Sequence, residues 1–278
     1  IYQLKILNIP KALVFDYLNA GASRNRSIVA RANQLKIPTF CVPHGILIYS
    51  NKYITRNRDL VVDSGGLFFD HYLGGGLVSD YLKWRGIPPK RITEVGSLRF
   101  CPEWREIRQR SIFPRNAPKV IRKTGSCTVN IVFFLHQLVY NTDPEKLKVA
   151  IKCLTEVEGI QVRIKPHTRG MKIPELVELL KSSKNIKIVP NIESADLIEW
   201  CDVAISTGSS IILDALLAGK IFLYPDFIDS NRIFFQKNNA CWTVSTAQEF
   251  RRAVESLVKD KTKIPYSLTD QVELLNRL

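Results

Sequence analysis

Two turns in the second half of the chain carry residue types that bind anions. The first, Lys-Pro-His-Thr-Arg, spans residues 165–169 and follows the apolar run that ends at Ile164. The second, Ser-Thr-Gly-Ser-Ser, spans residues 206–210, between the apolar run Val203 to Ile205 and a helix-forming stretch from Ile211. Hydroxyls and unpaired backbone N–H groups where a strand gives way to a helix form an anion site. Ser206, Thr207, Ser209 and Ser210 can all donate, whereas a helix cap needs only one of them. Lys165 and His167 can donate to phosphate oxygens, and Pro166 stiffens the turn that directs them. Brought to one sheet edge, the two turns make a pocket for a phosphate or diphosphate, most simply that of a nucleotide. Asp214 falls one turn into the following helix, where it would orient the loop.

Other candidates lie near the ends of apolar runs. His44 in Val-Pro-His-Gly directly follows one, and Gly45 lets the backbone turn sharply after it. Its imidazole would titrate near neutral pH, so it suits a proton acceptor as well as a loop hydrogen bond. Asp16 ends the run Ala12 to Phe15 and reads either as a base or as a strand terminator. Arg24 and Arg26 follow in a Gly-Ala-Ser-Arg-Asn-Arg loop, and Arg99 closes a Gly-Ser-Leu-Arg turn. His136, Gln137 and Tyr140 follow the first strand of the second half, a usual ligand loop in doubly wound sheets. No G-x-x-x-x-G-K-[ST] is present, which argues against P-loop phosphotransfer. Gly74-Gly75-Gly76 does not match the dinucleotide fingerprint.

The elements that must position these residues alternate. Apolar runs at Lys11–Phe15, Thr39–Val42, Leu60–Val62 and Ile92–Val95 read as strands, with helical patterns at Arg26–Leu35 and Leu77–Arg85. Tyr72–Gly76 is apolar and then glycine-rich. The second half restarts at Val129–Leu135. It continues with strands at Gln161–Ile164, Ile186–Ile188, Val203–Ser206 and Ile221–Tyr224. Helical patterns lie at Pro144–Val157, Ile173–Ser182, Asp196–Trp200, Ser210–Leu217 and Ala247–Val258. Continuous apolar strands alternating with helices predict a parallel sheet covered on both faces, hence an α/β fold. The chain divides into a domain over 1–110, a basic and proline-broken linker over 111–126, and a domain over 127–278. The first half holds about four strands where five or six are usual. Its opening strands are expected upstream of Ile1, so the N-terminal domain reads as incomplete. Two such domains would face each other across a cleft.

The 278 residues carry a formal charge of +14. That charge points to an anionic partner. The basic residues are spread along the chain without a nucleic-acid recognition motif, so nucleic acid is not expected. An anionic membrane surface fits better, with a cytoplasmic protein peripheral to the inner face. No apolar run is long enough to span a bilayer. The six cysteines include no C-x-x-C pair, so no metal site is expected, and they read as core residues of a reducing compartment.

These motifs resemble those of the GT-B glycosyltransferases of bacterial surface polysaccharide synthesis. The closest patterns are those of the capsule Kdo and sialic acid transferases and the CDP-glycerol glycerophosphotransferases. The resemblance rests on His44-Gly45, Gly96 to Arg99, Lys165-Pro166-His167 and Ser209-Ser210, in that order. It covers roughly residues 38–225. Thr168 stands where those enzymes have proline, and no clear acidic-acidic-glycine motif is present. The resemblance implies two Rossmann-like domains, an N-terminal acceptor domain and a C-terminal nucleotide-sugar donor domain. It implies a CMP-, CDP- or UDP-linked donor and a glycan or glycolipid acceptor. Donor phosphate would rest on Lys165, His167 and the serines, and His44 or Asp16 would be the base. Neutralising the departing phosphate replaces a metal, so no cofactor is expected. The rival readings are a UDP-N-acetylglucosamine 2-epimerase-like enzyme, a CDP-glycerol-type phosphotransferase, and a non-catalytic basic adaptor on membrane or nucleic acid.

Overall fold

Val129–Phe134 is apolar at every position except Asn130, a pattern suited to a strand covered on both faces. In the computed structural model it is β6, and all of its residues are buried. The structure describes residues 10–15, 23–42, 49–50, 69–74, 79, 82–83, 86–96, 101–107, 128–136, 142–167, 180, 183–207, 209–229, 231–232, 234–237 and 239–276. Contacts divide the chain into one unit of Ile1–Leu47, Thr55–Glu106 and Arg277–Leu278, and a second of Ile48–Ile54 and Ile107–Asn276.

The second unit is built on a six-stranded parallel sheet. Its strands are β6, β7 (Ile160–Lys165), β8 (Ile186–Ile188), β9 (Val203–Ser206), β10 (Ile221–Pro225) and β12 (Trp242–Val244), in the order β12-β10-β9-β6-β7-β8. Helices α3 (Pro144–Thr155) and α7 (Ala247–Lys259) cover one face. Leu147, Ile151, Leu154, Phe250, Val254 and Leu257 pack there with Ile131, Phe133, Val162 and Ile164. Asp143 caps α3 by accepting from Glu145 N and Lys146 N, with Pro144 in the first turn. The other face is covered by α4 (Ser194–Trp200), α5 (Ile211–Leu217) and α6 (Phe234–Lys237), whose Phe235 ring meets Phe222 edge-on. Helix α8 (Leu268–Asn276) follows, and Gln271 donates to the Ala240 carbonyl at 3.2 Å. The short strands β3 (Tyr49–Ser50) and β11 (Asn231–Arg232) form a separate antiparallel pair.

The first unit has a four-stranded parallel sheet of β1 (Leu13–Phe15), β2 (Thr39–Cys41), β4 (His71–Gly74) and β5 (Ile92–Glu94), in that order. Val29 of α1 (Ser23–Gln34) joins Cys41, Phe69, Tyr72, Leu82 and Ile87 in its core. Asp70 Oδ2 accepts from both Thr39 N and Thr39 Oγ1, which clips β2 to the start of β4.

The structure departs from the sequence expectations at several elements. Helix α1 starts at Ser23, so Arg24 and Arg26 belong to its first turn and not to a loop. Arginine is a good helix former, and the helix simply extends through it. The Tyr72–Gly76 segment is largely strand β4. Helix α2 (Pro102–Ile107) lies ahead of the expected 111–126 linker, where no helical pattern was expected. Strand β12 and helix α8 were not legible: β12 is three residues long, and α8 has exposed Leu268 and Val272 that blur its apolar stripe. The expected strand at Leu60–Val62, the 111–126 linker and all of the Ile173–Ser182 helix except its described residues lie outside the described residues. Among the latter, Leu180 is helical and buried.

One carboxylate fixes the register of the central strands. Asp202 Oδ2 accepts from Asn130 N at 2.9 Å, while Asp202 N donates to Asn130 O at 2.8 Å. Lys261 Nζ supplies a counter-charge to the same oxygen at 2.9 Å. Replacing Asp202 with alanine leaves the Asn130 N–H without that acceptor and a half-buried ammonium unpaired. Denaturant melts of Asp202→Ala should show a loss of about 2–3 kcal/mol. A change below about 0.5 kcal/mol would mean the clamp is not structural.

Candidate functional site

The strand order places β6, the first strand of its sheet, between β7 and β9. The chain leaves β6 toward β7 and β8, then crosses to β9 and continues through β10 to β12. The order reverses between β6 and β9, which is where ligands bind in open α/β sheets, just beyond the carboxyl ends of the strands. The ladder register brings those ends level, because Phe134 pairs with Lys165 on one side and with Ser206 on the other.

His136 leaves β6 directly above this point, and His167 leaves β7 beside it. Leu135 N donates to Lys165 O at 2.9 Å, which carries the pairing one residue past the strand. The two imidazole rings lie 6.4 Å apart, edge to face. Burial, reinforced by the charge that His167 would carry, holds the His136 pKa down to about 4. His136 is therefore neutral at physiological pH.

The hydroxyl turn lies on the other side of β6. Ser206 and Thr207 are buried, and Ser209 and Ser210 are partly buried. Among the described residues the Ser206 hydroxyl has no hydrogen-bond partner. The Ser209 hydroxyl accepts from Ile211 N at 3.4 Å, a long and weak cap, and the Ser210 side chain makes no capping bond. Capping therefore accounts for one of the four hydroxyls at most. Asp214 lies partly buried in the first turn of α5. With only seven residues, α5 contributes a short dipole, so the side chains carry more of the site's polarity.

Lys165 is held back from the hydroxyl turn. Its Nζ donates to the Pro190 carbonyl at 2.6 Å, across the loop ahead of α4. Burial lowers its pKa, and Glu193 opposes that shift. Two of its three ammonium protons remain for other acceptors.

A neighbouring polar cluster was not anticipated from sequence. The Tyr224 hydroxyl donates to Asp229 Oδ1 at 3.3 Å, and Asp229 pairs with Thr142 in an isolated antiparallel bridge. Asp143 N also donates to Ile228 O, so the segment after β6 is tied to the turn after β10. Burial, then the Asp229 carboxylate, push the Tyr224 phenol far above its usual range. The only sequence signal was a pair of aspartates, Asp226 and Asp229, shortly after an apolar strand.

His136, Lys165, His167, Ser206, Thr207, Ser209, Ser210 and Asp214 thus gather at one sheet edge. Arg26 lies exposed on α1 in the other unit, and Arg24 lies on the same helix. Asp16, His44, Arg99, Gln137 and Tyr140 lie outside the described residues. Among the described residues no cluster of three or more His, Cys, Asp or Glu side chains could hold a metal ion.

No family model and no curated protein matches the sequence. Solved structures do match the fold. S. aureus MnaA, solved with UDP, superposes with a TM-score of 0.61 at 13% identity, over 90% of this chain and 66% of that one. The UDP-GlcNAc 2-epimerase of Neisseria meningitidis, bound to UDP-GlcNAc, gives 0.59 at 16% identity, over 96% and 75%. The glycotransferase of kitacinnamycin gives 0.56 at 15% identity, over 98% and 72%. The fold is GT-B. This chain thus spans about two thirds to three quarters of the length of these GT-B proteins. Among the described residues no helix is long and apolar enough to cross a membrane.

The buried histidine has a measurable consequence. The unfolded chain protonates His136 near 6.5, whereas the folded chain does so only near 4. Between those values the unfolded state binds more protons, so stability falls as pH falls through this window. Thermal melts from neutral pH down to about pH 4 should show a smaller decline for His136→Asn than for the parent. Parallel curves for the two proteins would show that His136 is not buried in the way described.

Proposed function

We propose that the chain is a glycosyltransferase that moves a sugar from a nucleotide-sugar donor to a growing surface polysaccharide or glycolipid. The observation that carries this reading is the convergence of His136, His167 and the hydroxyl turn at the switch point of the C-terminal sheet. Such a crevice presents neutral and cationic donors to phosphate without requiring a metal. The GT-B fold supports the same reading, as does UDP or a UDP-sugar in two solved neighbours. The motif order from His44-Gly45 to Ser209-Ser210 favours the capsule and teichoic acid types of acceptor. The charge of +14 favours work at an anionic membrane face, with the protein peripheral to it.

In the proposed reaction the bond between the sugar's anomeric carbon and a phosphate oxygen breaks, and its electron pair stays on the phosphate. An acceptor hydroxyl oxygen forms the new bond to that carbon, and its proton passes to a base. His167 and the serines stabilise the charge left on phosphate. His44 is the proposed base, with Asp16 the competing assignment.

A second reading, a UDP-N-acetylglucosamine 2-epimerase-like enzyme, is favoured by the fold match to such an epimerase. Incubation with UDP-N-acetylglucosamine alone separates the two. Interconversion at C2 without an acceptor supports the epimerase, and sugar transfer that depends on an added glycan supports the transferase.

Removing His167 deletes a hydrogen bond to phosphate. Calorimetry with CMP, CDP, UDP and GDP should show His167→Ala binding its nucleotide more weakly by about 1–3 kcal/mol. Unchanged affinity in a folded variant would remove the phosphate pocket from this edge. His44→Ala should cut turnover by about 10²–10⁴-fold with nucleotide affinity nearly unchanged. A larger loss in Asp16→Asn, with His44→Ala almost active, would transfer the base role to Asp16.

A further inference from the structure

We propose that the amino edge of the first unit's sheet is a docking face for an anionic lipid bilayer, carried by Lys11, Lys36 and Lys90 with Leu35 among them. Such a face rests on the peripheral membrane placement proposed above and gives that placement a surface.

Topology collects the lysines. Strands β1, β2, β4 and β5 are parallel, so all of them start at one edge. Lys11 lies two residues ahead of β1, Lys36 three residues ahead of β2, and Lys90 two residues ahead of β5. Leu13 N donates to Pro38 O at 2.9 Å, which ties the entries of β1 and β2 together. The Asp70–Thr39 bonds join the entry of β4 to β2. Lys90 stands in the short 3₁₀ turn Pro89–Arg91, where Arg91 N donates to Pro88 O at 2.9 Å. Three strand spacings separate β1 from β5, so the entries span about 14 Å.

All three lysines are exposed, and none of the ion pairs among the described residues involves them. Asp70, at the same edge, commits a carboxylate oxygen to Thr39 N and Oγ1. From Tyr17 to Arg58 the chain has no acidic residue, so the sequence around α1 adds no counter-charge of its own. Lys36 follows α1 with a φ of 56°, a conformation usually left to glycine or asparagine at a helix end. A long cationic side chain therefore stands where the turn itself does not call for one.

A bilayer fits this edge better than a nucleic acid does. Leu35 adjoins Lys36 and is 47% exposed, and Ile28, two turns back along α1, is 41% exposed. Arg31 lies between them on the same helix and donates to Gln34 at 3.0 Å. Apolar side chains beside cations can enter the boundary between headgroups and acyl chains, whereas a phosphate backbone gives them nothing to bury against. Each lysine close to an anionic leaflet adds to the attraction, which fades within a Debye length. The carboxyl ends of the strands, where open α/β sheets take ligands, lie at the opposite edge, so this face is separate from them.

Vesicle co-sedimentation tests the face. The protein is mixed with vesicles of phosphatidylcholine alone, and of phosphatidylcholine with phosphatidylglycerol, over a salt series. The parent should bind the mixed vesicles only, and more weakly as salt rises. Lys11→Gln, Lys36→Gln and Lys90→Gln combined should weaken that binding by about ten-fold or more, and each alone by about 2–5-fold. The single variants decide the matter if the combined one fails its thermal melt. An equal loss of charge at exposed lysines of the second unit, Lys152→Gln, Lys184→Gln and Lys259→Gln, should change binding by less than about two-fold. Equal weakening by the two combined variants overturns the face and leaves the peripheral placement standing. Failure of the parent to bind mixed vesicles, or equal binding to both kinds, removes the face and the placement together and leaves the nucleotide-sugar reading untouched. Retention of a nucleic acid duplex in place of vesicles, lost in the Lys11, Lys36 and Lys90 variant, also overturns the proposal.

Discussion

The double-sided burial of β6, and its ladder with β9, is the constraint from which the rest of the C-terminal unit follows. A strand with every residue buried must have a neighbour on each edge and helices on both faces. The chain meets this demand by running β7 and β8 to one side and β9, β10 and β12 to the other. Asp202 holds Asn130 from two directions, so the ladder cannot slip. A slip of one residue would turn Ser206 to the opposite face and unmatch it from Phe134 and Lys165. The same interaction that closes the core therefore fixes where the hydroxyl turn stands relative to the two histidines.

Several of the described donors at that edge are uncharged. His136 is kept neutral, Ser206 and Thr207 contribute buried hydroxyls, and the Lys165 ammonium is drawn toward Pro190. A permanently charged pocket at this depth would need nearby counter-charges and would destabilise the sheet that carries it. The Tyr224–Asp229–Thr142 cluster fastens the segment after β6 to the turn after β10.

The first unit follows a simpler plan. Its strands are ordered as they occur in the chain, with no reversal among those described. The Asp70–Thr39 clip sets the register of β2 and β4, as Asp202 does for β6 and β9. In both units a single carboxylate reaches from one strand's approach to the backbone of its neighbour. Short parallel strands have few ladder bonds with which to define register, and a charge-assisted bond to a backbone N–H adds a strong one.

Much of this was determined by local sequence. The apolar runs at Val129–Phe134, Gln161–Ile164, Val203–Ser206 and Ile221–Tyr224, each followed by a helical stripe, specify parallel strands by periodicity alone. Turn composition then marks Lys165, His167 and Ser206 to Ser210 as residues at strand ends. Tertiary structure decided what lies beside what. Strand order is a long-range property, so no local pattern could place β9 against β6 and bring Ser206 level with Lys165. The His136–His167 contact, the Lys165–Pro190 bond and the Asp202 clamp each join segments separated by more than twenty residues. Strand β12 escaped detection because three residues are too few to establish a period. The depressed pKa of His136 could not be read from sequence either, because it arises from burial and from a neighbour that only the folded sheet supplies.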